Sequence, residues 1–309
     1  MRKFLLKRIL ILIPTVFVVI FIIFTIMNIT PGDPGRLILG PTASQSAVDE
    51  FNERFGINDP FFTRFFDYCA GLLHGDFGTS YRSGAPVIEE IFARFPYTLI
   101  LALASIVIGA ILGIALGVLS AVKQYSLLDS ISTSAAMILG AVPTFLLGML
   151  AIYIFSYKLE LLPSGNIRNW TGYILPILTV AVGTAAGLLR ITRAMVLETI
   201  RQDYIRTARA KGAAEKRVIW KHALKNALLP VITTLGMRFG ASLGGSVVVE
   251  QVFNIPGLGN YILTSIQRKD MPAVLSSIVV ISIMFCLVML VVDIIYALVD
   301  PRIKAKYIK

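Results

Sequence analysis

Six long apolar runs decide what this chain can fold into. They fall at about 9–29, 97–122, 130–157, 173–191, 228–249 and 273–299. Each reaches or approaches the roughly 20 residues a helix needs to cross the hydrocarbon core of a bilayer. No water is available there to satisfy peptide groups, so such a run is stable as a helix, whose backbone hydrogen bonds are internal. The composition agrees: 56% of residues are hydrophobic and only 15% charged, which excludes an ordinary soluble domain. The expected fold class is all-α, a polytopic membrane protein.

Charge placement orients the runs. A formal net charge of +11 would point to nucleic acid in a soluble protein. Here the excess sits mainly at Arg2, Lys3, Lys7 and Arg8, in a central loop, and at Lys304, Lys306 and Lys309. Basic residues collect in cytoplasmic loops, so six transmembrane helices with both termini cytoplasmic satisfy every cluster. No aromatic-interleaved basic surface supports a nucleic-acid partner. The first run is too long for a signal-peptide core and lacks a cleavage site, so residues 1–29 read as a cytoplasmic start and a retained span. Residues 30–95 carry nine Asp and Glu against five Arg and no Lys, which fits an extracytoplasmic segment. Val48 to Phe55 and Phe61 to Leu73 read there as amphipathic helices, the second with an aromatic face for lipid or for the spans. Residues 96–309 are expected to form a five-helix core.

The central loop, about 194–228, is patterned as well as basic. Tyr204, Thr207, Ala208 and Lys211 share one helical face, and Gly212 stands where a helix stop belongs. A second amphipathic helix is readable from about Ala214, with Trp220, Ala223, Leu224 and Ala227 as its stripe and Pro230 marking entry to the next span. One reading is a solvated basic loop that sets topology or touches membrane lipid; another is a compact handle between two spans.

Within the spans, Gly109, Gly113 and Gly117, and again Gly236, Gly240 and Gly244, form doubled G-x-x-x-G stripes that let helices approach closely. Pro143 is expected to kink the third span. Arg238 and Asp293 are intramembrane charges, which are costly and face a partner or a water-filled cavity. They read either as a structural ion pair or, for Arg238 with Ser242 and Ser246, as part of a substrate path. Gly240-Ala241-Ser242-Leu243-Gly244 matches a bare G-x-S-x-G string, but a nucleophile elbow needs a strand–turn–helix context. No P-loop sequence is present, so this chain lacks that ATP-binding signature. Cys69, Cys286, His74 and His222 are too dispersed for a metal cluster.

The loop sequence Thr207-Ala208-Arg209-Ala210-Lys211-Gly212, followed by His222-Ala223-Leu224-Lys225-Asn226-Ala227-Leu228-Leu229-Pro230, resembles the coupling loop of ABC importer permeases of the oligopeptide, dipeptide and nickel subfamily. The general family pattern has Glu-Ala-Ala six residues before the glycine; Arg206-Thr207-Ala208 stands there, as is typical of the peptide subfamily. The resemblance extends along most of the chain, through Leu72-Leu73-His74-Gly75-Asp76-Phe77-Gly78-Thr79-Ser80, Pro96-Tyr97-Thr98-Leu99, Leu162-Pro163-Ser164-Gly165, Pro256-Gly257-Leu258-Gly259 and Asp300-Pro301-Arg302-Ile303. The long segment after the first span looks like that of the first of the two permeases such systems carry.

What the resemblance implies is the type I ABC importer permease fold and a machine: this chain with a second permease subunit, two ABC ATPase subunits beneath them, and an extracytoplasmic substrate-binding protein. ATP and Mg would act on the ATPase partners, with no cofactor in this chain. The 203–225 loop would couple through Tyr204, Arg206, Thr207, Ala208, Ala210, Lys211, Gly212 and His222. Peptide is the implied cargo; nickel and glutathione importers share these motifs. A self-sufficient ion-coupled transporter would instead use Asp293 as its carboxylate.

Overall fold

The computed structural model describes residues 2–165, 167 and 169–299. Among them every regular element is a helix, apart from an isolated bridge between Thr79 and Pro86. The order is α1 (Arg2–Ile29), α2 (Pro34–Leu39), α3 (Gln45–Arg54), α4 (Phe61–Leu73), α5 (Val87–Val122), α6 (Leu127–Ala141), α7 (Thr144–Ala151), α8 (Ile174–Ile200), α9 (Asp203–Ala210), α10 (Glu215–Arg217), α11 (Leu224–Gly245), α12 (Val247–Val252), α13 (Leu258–Gln267) and α14 (Met271–Val299). A π-helical stretch, Ile152–Lys158, prolongs α7, and another, Val218–Ala223, joins α10 to α11.

Four helices among the described residues are long and apolar enough to cross a membrane: Val87–Val122, Trp170–Ile200, Glu215–Gly244 and Met271–Val292. The bent pair α6–α7 makes a fifth, and the apolar part of α1, Ile13–Ile29, is shorter.

Several boundaries differ from the sequence reading. The second span starts at Val87 and not near Tyr97, because Pro96 is accommodated inside a continuous helix of 36 residues. The third span is broken rather than kinked. Val142 is extended (φ −74°, ψ 129°), as the residue before a proline prefers. Pro143 then caps a new helix, and the two halves meet at 101°. The second loop helix does not stop at Pro230: it runs through the π-helical turn into α11, with Pro230 inside. The fifth span instead ends early, at Ser246, and α12 begins as a separate short helix. The stretch after Asn254 leads into α13.

The described residues form two compact units: 99–255 with 288–299, and 2–98 with 256–287. In the first, α8 is the central post, with α6, α7 and α11 packed on it. The α5 glycines lie against the same helix. A Cβ at Gly113 would stand 2.7 Å from Ala185 O, and one at Gly117 would stand 2.7 Å from Thr192 Cβ. Gly109 meets Thr184 in the same way, so helix backbones touch where side chains are missing. Large apolar side chains on the free face of α5, such as Val107 and Ile111, are exposed, as a lipid-facing surface should be.

In the second unit, α1, α4 and the start of α14 share a core of Ile20, Phe24, Phe65, Val274 and Leu275. Only half of the α4 aromatic face enters it. Phe61 and Phe65 pack edge-on to Phe24, with centroids at 5.1 and 5.4 Å, while Phe62 and Phe66 remain exposed. Polar bonds fasten the loops. Lys269 donates to Thr30 O and Gly32 O, and Asp270 accepts from Ser80 Oγ at 2.5 Å and from Tyr81 N at 3.1 Å. Burial lowers the pKa of the Lys269 amine, which the Asp33 charge opposes.

Candidate functional site

The loop between α8 and α11 is a built object. Its anchor is Ile205, fully buried against Val218 and Ala223, with Ile200, Ala208 and Ala213 around them. Burying an isoleucine side chain contributes about 1.5–3 kcal/mol, enough to fix a helix of eight residues that could not persist alone. Ile205 was absent from the stripe read from sequence; the one apolar side chain in a polar helix was the available signal. Trp220, expected in the buried stripe, is 52% exposed, because the π-helical turn presents Val218 and Ile219 inward instead.

The remaining expected residues divide into two sets. Tyr204, Arg206, Thr207, Ala210, Lys211 and Gly212 are exposed. Ala208 and His222 are half-buried, Ala208 against the loop's own core. Tyr204 Oη accepts from Asn226 Nδ2 at 2.8 Å, tying α9 to α11. Gly212 has φ +75°, and its N–H donates to Arg209 O at 2.9 Å. A Cβ there would meet nothing within 4 Å, so the glycine serves the turn and not the packing. Across the turn Arg209 clasps Glu215 with two bonds, 3.0 Å from Nε and 2.6 Å from Nη2. That carboxylate raises the Arg209 pKa further, so the guanidinium stays charged. The result is a rigid, polar, cation-bearing knob.

A second polar feature lies among α8, α11 and the α6–α7 break. A cavity of about 270 Å³ is lined there by Gly183, Gly187, Arg190, Arg238 and Ser242, with Thr144 from the start of α7. Arg238 reaches it from α11. Its guanidinium lies over Gly187, where any Cβ would overlap it. Its bond to a described residue is long, Nη1 to Gly183 O at 3.4 Å. Ser242 Oγ is buried with no hydrogen-bond partner among the described residues. Ser246 is elsewhere: it is buried and donates to Glu250 Oε1 at 3.0 Å. The Asp293 side chain lies outside the described residues, as does the closing Asp300-Pro301-Arg302-Ile303. Gly236 abuts Val292, whereas a Cβ at Gly244 would meet open space; Gly240 is buried. The sequence did not join Arg190 and Gly187 to Arg238, since nothing in a linear run marks a glycine as the seat of a distant arginine.

Among the described residues no group of three or more His, Cys, Asp or Glu could hold a metal. The arrangement offers a gripping surface and a cationic cavity.

The chain belongs to the family of binding-protein-dependent transport system inner membrane components, whose model matches residues 113–305; the model for the N-terminal part of such a membrane component matches residues 1–102. It is an ABC importer inner-membrane permease of the peptide, nickel and glutathione group. The glutathione transport system permease protein GsiC of Escherichia coli (strain K12) is 42% identical over 306 residues, spanning 99% of this chain and 100% of that protein. The GsiC protein of Shigella flexneri serotype 5b gives the same identity and coverage. Among solved structures, an inward-facing form of the MetNI methionine ABC transporter aligns with a TM-score of 0.57 at 19% identity, covering 70% of this chain and 98% of that one. An amino acid ABC transporter crystallised with histidines aligns at 0.55 and 16%, covering 68% and 94%. These two likenesses concern the fold.

Proposed function

We propose that this chain forms half of the translocation path of an ATP-driven importer for short peptides, glutathione being the first cargo to try because the GsiC relatives carry that name. Six spans with both termini cytoplasmic place the α9 knob in the cytoplasm. A second permease completes the path. Two ATPases, which hold ATP and Mg, grip the knob, and an extracytoplasmic binding protein delivers the cargo.

The observation that carries this reading is the knob's construction. A helix pinned by Ile205 moves as one body with α11, because α10, the π-helical turn and α11 are continuous. Force applied to the exposed face of α9 therefore reaches the span that carries Arg238. A loose basic loop would absorb it.

The test is to tag the chain, extract it gently from its native membrane and identify what co-purifies. Two P-loop ATPases, a second permease and a binding protein are expected. Recovery of this chain alone, transport-competent after reconstitution, would overturn the reading. A sharper variant is Gly212→Leu, which places a side chain in a left-handed conformation at a cost of about 1–2 kcal/mol. The assembled complex should still insert but lose transport-coupled ATP hydrolysis, measured in proteoliposomes.

A further inference from the structure

We propose that the cavity between the α6–α7 break, α8 and α11 is an anion station: it receives a carboxylate end of the cargo, held by Arg238 and Arg190 with the Ser242 hydroxyl as donor. The inference rests on the transport reading above and adds to it a chemical class, cargo bearing a free carboxylate.

Four observations converge. First, two guanidinium groups line one cavity, and neither has a carboxylate partner among the described residues. Arg190 is exposed and Arg238 half-buried, so the two like charges are partly screened by water, and an anion seated between them would relieve the repulsion that remains. Second, Arg238 has five N–H donors but, among the described residues, one long bond, to a backbone carbonyl. Third, Ser242 Oγ is buried without a partner at the same wall, and an unmet buried hydroxyl marks a place for something polar. Fourth, Thr144, the first residue of α7, is also in the lining, so the positive end of that helix adds to the same field.

Gly187 is the structural provision for this. A Cβ at Gly187 would overlap the guanidinium, whose Cζ and Nε would stand 2.5 and 3.0 Å from it, so only a glycine leaves room for Arg238 against the α8 backbone. A planar fork matches a carboxylate through two parallel bonds. Size gives a further limit. About 270 Å³ falls just below the roughly 300–1,000 Å³ of ordinary small-molecule sites. The cavity therefore admits the end of a cargo, one charged group at a time, and not a whole peptide. A shallow, partial site of this kind suits transit better than storage.

The test begins without any cargo. In the complex with its partner subunits, Cys69 and Cys286 are replaced by serine and Ser242→Cys is introduced. Membrane vesicles are then treated with an anionic or a cationic methanethiosulfonate reagent, each rate normalised to its reaction with free cysteine. The anionic reagent should react at least about tenfold faster, the low end of electrostatic focusing in a one-signed cleft. Arg238→Gln should collapse that ratio towards one, and Arg238→Lys should keep most of it. Equal rates in the parent, or no reaction with either reagent, would overturn the proposal. Thr144→Cys, on another wall, gives the same readout if the first variant does not fold.

Uptake then separates this inference from the functional reading. Glutathione should enter at least about tenfold faster than its diamide, and Arg238→Gln should abolish the preference while Arg238→Lys keeps most of it. If the complex imports neither peptide but labelling stays charge-selective, the cargo assignment fails and the station stands. If peptide enters but labelling ignores charge, the station falls and peptide transport stands.

Discussion

Arg193 and Arg238 project from the two helices that pack most closely in the first unit, and they are treated in opposite ways. Arg193 is closed. It clasps Asp129 through Nε at 2.6 Å and Nη2 at 2.7 Å. Asp129 also accepts from Ser120 Oγ and from Tyr125 N, and its side chain is only 5% exposed. Among the described residues Arg238 is open, lying on a glycine with a single long bond to a carbonyl. The same residue type thus acts as cement where every lone pair of its partner is used. It becomes an available charge where a cavity takes the partner's place. Charge count alone would have ranked the two equally; only the accounting of partners tells them apart.

The largest expected effect attacks the closed site. Asp129→Ala leaves Arg193 unpaired in a mostly buried position and should cost about 3 kcal/mol, the low end for breaking such a pair because Arg193 is itself a quarter exposed. Thermal unfolding of the purified complex in detergent would measure it. Asp129→Leu with Arg193→Met should recover most of the loss, since replacing a buried pair with apolar groups is often neutral or better. An unchanged melting point in Asp129→Ala would erase the contrast with Arg238.

Next comes the glycine seam, where the same opposition of filled and empty space recurs. Gly113→Ala drives a Cβ against Ala185 O and Leu188 Cβ, both at 2.7 Å. Backbone cannot rotate away, so overpacking should cost about 2 kcal/mol. Gly244→Ala meets nothing within 4 Å and should change stability by no more than about 0.5 kcal/mol. If both were neutral in the same melting experiment, the α5–α8 contact would be looser than its geometry.

How much of this could be read from the chain depended on which kind of information was local. Hydropathy runs and charge clusters are local, so the helical class, the basic loop, α9 and its glycine turn were legible residue by residue. The 101° break at Pro143 was not. A proline inside an apolar run is compatible with a kink or with a full stop, and the neighbours that settle it are distant in sequence. The same holds for Pro96, which sits inside an unbroken helix. Loop polarity concealed Ile205, because a buried anchor in a helix of eight residues has no period to repeat. Arg238 was visible as a costly intramembrane charge, and a sequential neighbour, Asp293, was the natural partner to consider. The Asp293 side chain lies outside the described residues; the described neighbours of Arg238, Gly183, Gly187 and Arg190, lie some fifty residues away on α8, and nothing in the linear order joins them.

A smaller effect is expected at the open site, and its smallness is the point. Arg238→Gln orphans no partner among the described residues, so stability should fall by less than about 1 kcal/mol, even as the charge preference of the cavity is lost. A loss comparable to that of Asp129→Ala would mean that Arg238 is cement after all, and the distinction between the two arginines would collapse.

The smallest effect concerns a third arginine. Arg209 binds Glu215 with nearly the geometry of the Arg193–Asp129 pair, two bonds and a shortest distance of 2.6 Å. Yet its side chains are 39% and 55% exposed. Water solvates both ions when the pair opens, so the net value of such a contact is about 0–1 kcal/mol and shrinks with salt. Arg209→Ala should therefore lower the melting point barely, and the residual difference should vanish in high salt, while Asp129→Ala keeps its full effect there. Geometry is held nearly constant between these pairs and burial is varied, so the comparison isolates desolvation. A large, salt-independent loss in Arg209→Ala would show that the loop's surface is covered in the intact complex, and the knob would then count as a buried interface, with Arg209 part of the grip.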